Sequence, residues 1–303
     1  MYHGILVVWK EAGMTSHDVV FKLRKILKMK KIGHTGTLDP GVEGVLVVCL
    51  GQATKLVEFL MDSHKVYQGQ VTLGWSTETE DQFGQVVDKK IVDSDLSSTL
   101  VDQTMKSFLG EIIQIPPLYS SVKVNGRKLY EYARLGLEVE RPRRKAHIFA
   151  FDRIGPLSYD PDNDSLSWDF CVDCGKGTYI RTLAVDLGLK LGYPAHMSSL
   201  RRLSSSGFNQ SQALSLKEIQ VMTETGKLDN IIYPLESAVG QFPRIDLSEV
   251  EYQEIKHGKV LETNYFKPEI SQETCLFYHD ELISIYYPHP EKKGLIKPRK
   301  MFI

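Results

Sequence analysis

At 303 residues, with 42% hydrophobic and 25% charged content, the chain can bury a sizeable core and exceeds what one core usually organises, which predicts two domains. Its 37 Lys and Arg against 38 Asp and Glu leave a formal charge of -1, so any nucleic-acid partner must be met by local basic patches and not by a global field. The start MYHGILVVWK has only a short apolar run and no charged leader, and nowhere do eighteen apolar residues follow one another, which argues against a signal peptide or a membrane-spanning helix and predicts a cytoplasmic protein.

In chain order, GILVVW (4–9) reads as a short apolar strand. TSHDVVFKLRKILK reads as a helix opened by Thr15 or Ser16, with Val19, Val20, Leu23, Ile26 and Leu27 at helical spacing and a basic opposite face. GVLVVCLG is a buried strand and QATKLVEFLM has helical periodicity. KVYQGQVTLGW alternates, placing Tyr67, Gly69, Val71 and Leu73 on one face, and STETEDQFG is a polar loop. LVDQTMKSFLG is a helix ending at Gly110. SVKVNGRKLYEYARLG reads as strand, Asn-Gly turn and a helix stopped by Gly136, and RPRRKAHIFAFDRI runs from a basic stretch into a strand. SLSWDFCVDCG alternates and leads through KGTYIRTLAVDLGLKLG into a helix; beyond AHMSSLRRLSSSGF the chain turns more polar. A Pro-containing segment near YPLESAVGQFPRIDLS marks a boundary, which divides the chain into residues 1–240 and a small β-rich module, 241–303, with one short helix (SEVEYQEIKHG) and strands CLFYHD and LISIYY. Alternating, half-exposed strands favour α+β over a doubly wound parallel fold.

Four scattered cysteines make no disulfide framework. Cys171 and Cys174 have zinc spacing, but no second pair completes a site and the two point to opposite faces of their strand. The glycine-rich stretch IGHTGTLDPGVEGVLVVCLG (32–51) is no phosphate cradle, because Val42 and Val45, and not Lys followed by Ser or Thr, come after Gly41 and Gly44. On composition alone Asp39-Pro40-Gly41 is a turn.

The blocks WKEAGMTSHDVV, GHTGTLDPGVEGVLVVCLGQATKL, HKVYQGQVTLGWSTETEDQFG, QIPPLYSSVKVNGRKLYEYARLG, CGKGTYIRTLAVDLG and AHMSSLRRL stand in the order of the motifs of one family. Over roughly residues 4–210 the chain resembles the TruB family of pseudouridine synthases, which isomerise a uridine in the T loop of tRNA. It departs from the usual pattern at Trp9 and Glu11, which flank Lys10, and at Gly41, Val42, Glu43 and Val47 around the acid.

The resemblance implies a mixed, mainly antiparallel sheet flanked by helices, followed by a PUA-like RNA-binding module. It makes Asp39 the nucleophile, a fitting role because a carboxylate can attack or stabilise a cationic sugar centre. Asp39 must be ionised at neutral pH, which calls for a nearby cation. Arg181, on spacing alone a helix-surface arginine, is implied as that cation and cannot lose its charge. Tyr67, otherwise an ordinary sheet-face aromatic, is implied to stack on the target base, and Leu200, otherwise core, to pack against it. Tyr179 and Lys55 are further active-site candidates. The base must be flipped out of its loop, and His34 is the implied occupant of the vacated stack; no spacing supports it as a metal ligand. Lys25, Lys28 and Lys30 in the run from Lys22 to Lys31, RPRRK (141–145), Arg201 and Arg202, and KKGLIKPRK (292–300) are the expected phosphate contacts.

The expected partner is the T stem-loop of tRNA, at the uridine of position 55, bound by a monomer with no cofactor, metal, membrane or protein partner. A guide-RNA-dependent synthase subunit and a non-catalytic RNA-binding or RNA-folding protein are the alternatives. A hydrolytic glycosylase would need a second carboxylate near Asp39, and none is evident in the sequence around it.

Overall fold

A computed structural model describes all 303 residues. The first half runs β1 (Gly4–Lys10), α1 (Ser16–Ile26), β2 (Ile32–His34), β3 (Glu43–Leu50), a 3-10 turn, α2 (Val57–Met61), β4 (Lys65–Leu73), the hairpin β5 (Trp75–Thr77) and β6 (Val86–Lys89), α3 (Ser98–Lys106), β7 (Gly110–Gln114), the hairpin β8 (Lys123–Val124) and β9 (Arg127–Lys128), and α4 (Leu129–Leu135). The second half runs β10 (Arg144–Asp160), β11 (Ser165–Cys174), α5 (Ile180–Leu191), β12 (Ala195–Ser205), β13 (Phe208–Asn209), α6 (Leu216–Glu224), β14 (Arg244–Asp246), α7 (Glu249–Ile255), β15 (Leu261–Glu262), β16 (Thr274–Tyr278), β17 (Glu281–Pro288) and β18 (Leu295–Met301).

Nine strands form the main sheet, in the order β1-β3-β12-β4-β11-β10-β7, with β2 paired to β3 and β13 to β12. Every pairing is antiparallel except β3 with β12, where Glu43 and Gly44 lie opposite Arg201 and Arg202. This is the mixed, mainly antiparallel α+β sheet the sequence implies. Gly44 is required at that junction: its φ is +127°, and a Cβ there would lie 2.3 Å from the Arg202 carbonyl oxygen. β1 and β3 read as unbroken apolar runs because both faces are covered. Leu6, Val8, Leu46 and Val48 pack with Val19, Val20 and Leu23 of α1, while Ile5, Val7, Val45 and Val47 pack on the opposite side.

Thr15 caps α1: its Oγ1 accepts from the Asp18 backbone N–H at 3.0 Å, and Asp18 accepts from the Thr15 N–H at 2.8 Å. Ser16 has another use. It is buried, and its hydroxyl oxygen accepts from the Leu38 N–H at 2.9 Å, pinning α1 to the loop that carries Asp39. The helix ends at Ile26, two residues before the predicted end, because Lys28 takes a left-handed turn (φ 51°). Lys28, Lys30 and Lys31 therefore leave the helix, although all remain exposed.

Residues 244–301 form a second, five-stranded sheet in the order β14-β16-β17-β18-β15. Part of it has its own core around Ile255, Tyr286 and Ile296. Cys275, Phe277, Leu282, Ile285 and Phe302 instead join Ile5, Val45 and Val47 of the main sheet in one cluster. No helix is long and apolar enough to cross a membrane.

Candidate active site

Asp39 stands in the loop between β2 and β3, and that loop is held from several directions. The buried Lys10 ammonium donates to the carbonyls of Val42 (2.6 Å) and Pro40 (3.3 Å), while Ser16 holds Leu38. Burial pulls the Lys10 pKa down, and Asp39 acts in the opposite direction. The Asp39 side chain itself stays 45% exposed. Its Oδ2 lies 3.1 Å from Nη2 of Arg181, whose own side chain is only 9% exposed.

Arg181 is placed by the first turn of α5, directly after β11. Its guanidinium donates to the carbonyls of Thr79 (2.9 Å) and Tyr119 (3.0 Å), and Nη1 also faces Oδ2 of Asp81 at 3.7 Å. A planar fork with several donors can serve two carbonyls and two carboxylates at once, which a point-charge ammonium cannot. Asp81 is the second acid that sequence reasoning missed. It falls in STETEDQFG, read as a polar loop, where an acid is normally solvated. Here its Oδ1 accepts from Thr79 Oγ1 (2.6 Å) and the Phe83 N–H (3.0 Å) and its other oxygen faces Arg181, so it is occupied and is no free water-activating base.

Asp39 and Arg181 line a cleft of about 950 Å³, together with Tyr67, Tyr179, Leu200 and Arg202. Tyr67 of β4 lies opposite Val172 of β11 and Arg202 of β12 and is part of the cleft lining. Burial raises its pKa, so the phenol is neutral at neutral pH. The Tyr179 phenol is raised by burial as well, and its backbone exchanges hydrogen bonds with the buried Gln114 side chain (2.9 and 3.1 Å). Lys123, Arg144, Lys145 and Lys176 add cationic groups to the lining; Arg144 and Lys145 belong to the predicted basic run. Two more lining groups went unread. Lys65 is buried, donates to the Met61 and Ser63 carbonyls, and is pulled down to about 8 by burial. The Ser120 hydroxyl is buried with no hydrogen-bond partner.

Other expected site residues fall elsewhere. Lys55 is not in the cleft: its ammonium donates to the Met301 carbonyl and sits 5.8 Å from the Phe302 ring centroid, tying the 3-10 turn to the carboxy-terminal sheet. Arg202 is no surface phosphate contact. It is 1% exposed and donates to the carbonyls of Val45 (2.8 Å) and Gly36 (3.1 Å), bracing the Asp39 loop from below. Arg201 is exposed and bonded to Gln68. His34 is half-buried outside the cleft lining, and burial lowers its pKa, leaving a neutral ring suited to stacking and unsuited to pairing phosphate. Lys25, Lys28 and Lys30 are exposed and also outside the lining. Cys171 and Cys174 do lie on opposite faces of β11, and no group of three or more His, Cys, Asp or Glu is placed to hold a metal ion.

The family model described as TruB family pseudouridylate synthase (N terminal domain) matches residues 24–180, and that of the tRNA pseudouridylate synthase B C-terminal domain matches 181–240. The chain belongs to the TruB family. Relatives named tRNA pseudouridine synthase B include those of Streptococcus pneumoniae (52% identical, 99% of both chains covered), Staphylococcus epidermidis (47%, 100% of both) and Lactococcus lactis (46%, 99% of this chain and 98% of the relative). Among solved structures, the chain is similar to one in a Cbf5–Nop10–Gar1 complex, with 28% identity, TM-score 0.74, and 99% of this chain and 85% of that chain covered. It is also similar to one in an H/ACA RNP bound to a substrate RNA, with 26% identity and TM-score 0.72, covering 99% and 85%. In this TruB chain the site spans both matched regions: Asp39 and Tyr67 come from the first, Arg181 and Leu200 from the second.

Proposed function

We propose that the protein isomerises the uridine at position 55, in the T loop of tRNA, to pseudouridine, with Asp39 as nucleophile and as a monomer without cofactor, guide RNA or protein partner. One observation carries this reading: an accessible carboxylate paired at 3.1 Å with a buried arginine, at the wall of a cleft that Tyr67 and several cationic groups also line. The relatives named for tRNA are as much as 52% identical to this chain, against 28% for the Cbf5 neighbour, which favours an unguided tRNA substrate.

In this scheme the target base leaves its stack, at a cost of a few kcal/mol, and lies on the Tyr67 ring with Leu200 against it. The cleft cations meet the phosphates on either side. Arg181 fixes the Asp39 carboxylate so that its free oxygen faces the ribose–uracil unit. The Asp39 carboxylate attacks C1′ as the N1–C1′ bond breaks and uracil leaves with its electron pair, the uracil turns over, and C5 joins C1′ as the bond from C1′ to the carboxylate oxygen breaks. C5 then loses its proton and N1 gains one, so the reaction is a net isomerisation that regenerates the carboxylate and consumes nothing.

Incubation with unmodified tRNA and no added cofactor, followed by mapping of pseudouridine, tests the reading. The expected result is one pseudouridine, at the T-loop position. Asp39→Asn should abolish it while holding tRNA affinity within a few-fold, because the amide keeps the shape and loses the nucleophile. Pseudouridine at other positions only, or an Asp39→Asn rate within tenfold of the parent, overturns it.

A further inference from the structure

A second cavity, of about 570 Å³, lies against the cleft and shares Asp39, Val42, Arg181 and Leu200 with it. Much of its remaining wall is aromatic or apolar, with Phe83, Tyr119 and Met197 beside the backbone of Pro40 and Gly41. The charged groups in its lining, Asp39, Asp81 and Arg181, are paired with one another. Such a cavity suits a planar base better than a phosphate.

Phe83 is the unusual member. It is 69% exposed, yet its position is set by local bonds: its N–H and Thr79 Oγ1 both donate to Asp81 Oδ1, so the loop carrying the ring is fastened to the acid that faces Arg181. The ring rests on Gly41, where a Cβ would lie 2.3 Å from one ring carbon and 2.8 Å from the next. The φ of Gly41 is not in the left-handed region, so a Cβ there would strain no backbone and would instead have to push the exposed Phe83 ring off this position. The departure from the family pattern at residue 41 and an exposed phenyl two residues beyond Asp81 thus form one device, a flat apolar wall beside the nucleophile.

We propose that this second cavity is a nucleobase subsite: it takes the base of an unpaired nucleotide directly adjacent to the target, with the Phe83 ring as its stacking wall. The proposal rests on the RNA substrate read above. A strand that brings one nucleotide to Asp39 through the cleft must continue past Asp39, and the shared residues make this cavity contiguous with the cleft. Aromatic stacking holds a base without reading its sequence, so Phe83 acts as a positioning residue, fixing the register of the strand at the carboxylate.

The test is a cycle between side chain and base. Single-turnover kcat/KM is measured for the parent and Phe83→Ala on three RNAs: the intact T stem-loop, and the same RNA with an abasic nucleotide 5′ or 3′ of the target. On intact RNA, Phe83→Ala should lower kcat/KM about tenfold, chiefly through KM. On one abasic RNA the parent should already be that low and the substitution should add nothing. Gly41→Ala, which displaces the ring, should repeat the pattern, and Phe83→Trp should retain parental values. A parental kcat/KM for Phe83→Ala on intact RNA, or an equal loss on all three RNAs, overturns the subsite. Equilibrium binding of the three RNAs to Asp39→Asn protein, with and without Phe83→Ala, reads the same cycle with no turnover. A parent that forms no pseudouridine on intact RNA therefore counts against the proposed function and leaves the subsite to be judged on binding.

Discussion

At the scale of single residues the site depends on how many partners one guanidinium can serve. Arg181→Lys should lower the single-turnover rate by about 100-fold, because an ammonium cannot reach Asp39 while also holding the Thr79 and Tyr119 carbonyls and facing Asp81. A rate within threefold of the parent would reduce Arg181 to a packing role. That Asp39, Tyr67, Arg181 and Leu200 share one cleft could be expected from the sequence, because each stands inside a contiguous motif of the resemblance. Asp81, Lys65 and Ser120 were not, since their burial comes from segments far away in the chain. Lys65 also makes a pH prediction. Burial holds its pKa near 8, so the cleft carries this positive charge below about pH 8 and loses it above. Affinity for tRNA should therefore fall as pH rises from 7 to 9, and the same titration on Lys65→Met should lack that step. A parental curve identical to the variant's would mean the ammonium does not act on the RNA.

At the scale of elements, β12 shows where pattern reading fails. AHMSSLRRLSS has too many serines and arginines to read as a central strand, yet it lies between β3 and β4. The strand also builds the cleft: Leu200 and Arg202 line it, and the buried Arg202 is satisfied by the carbonyls of Val45 in β3 and Gly36 in the Asp39 loop, which only the folded chain brings to it. α1 was legible over most of its length because its apolar stripe and its N-cap residue are local signals, although its end lies two residues before the expected one. Its other face and the turn after it leave Lys25, Lys28 and Lys30 exposed. Replacing these three with Gln should reduce the slope of log affinity against log salt by about 2 to 3, since each lost phosphate contact removes about one released counterion. The single-turnover rate at saturating enzyme should stay near parental. Binding measured at four or more salt concentrations checks this, and an unchanged slope would assign that face to solvent.

At the scale of the whole molecule, β1 and β3 are central to both halves, with α1 on one face and the carboxy-terminal sheet on the other. Composition marked 241–303 as a separate stretch, but side chains of β16 and β17 complete a core begun by β1 and β3, which no local pattern could show. Lys55 bonded to Met301, and Glu58 bridged to Arg299 and Lys300, add polar ties across the same contact. Two regions sharing one core should unfold together. The three tryptophans, Trp9, Trp75 and Trp168, all lie in the first part, so their fluorescence reports on that part alone, whereas far-ultraviolet circular dichroism reports on both. Phe277→Ala removes a buried ring from the carboxy-terminal side of the shared cluster and should cost about 3–5 kcal/mol. In denaturant titrations the tryptophan and dichroism transitions should coincide for the parent, and both should move to lower denaturant in Phe277→Ala by the same amount. A tryptophan transition left at its parental midpoint, with an earlier phase seen by dichroism alone, would show that the carboxy-terminal sheet folds as an independent unit and that the shared cluster does not couple the two halves.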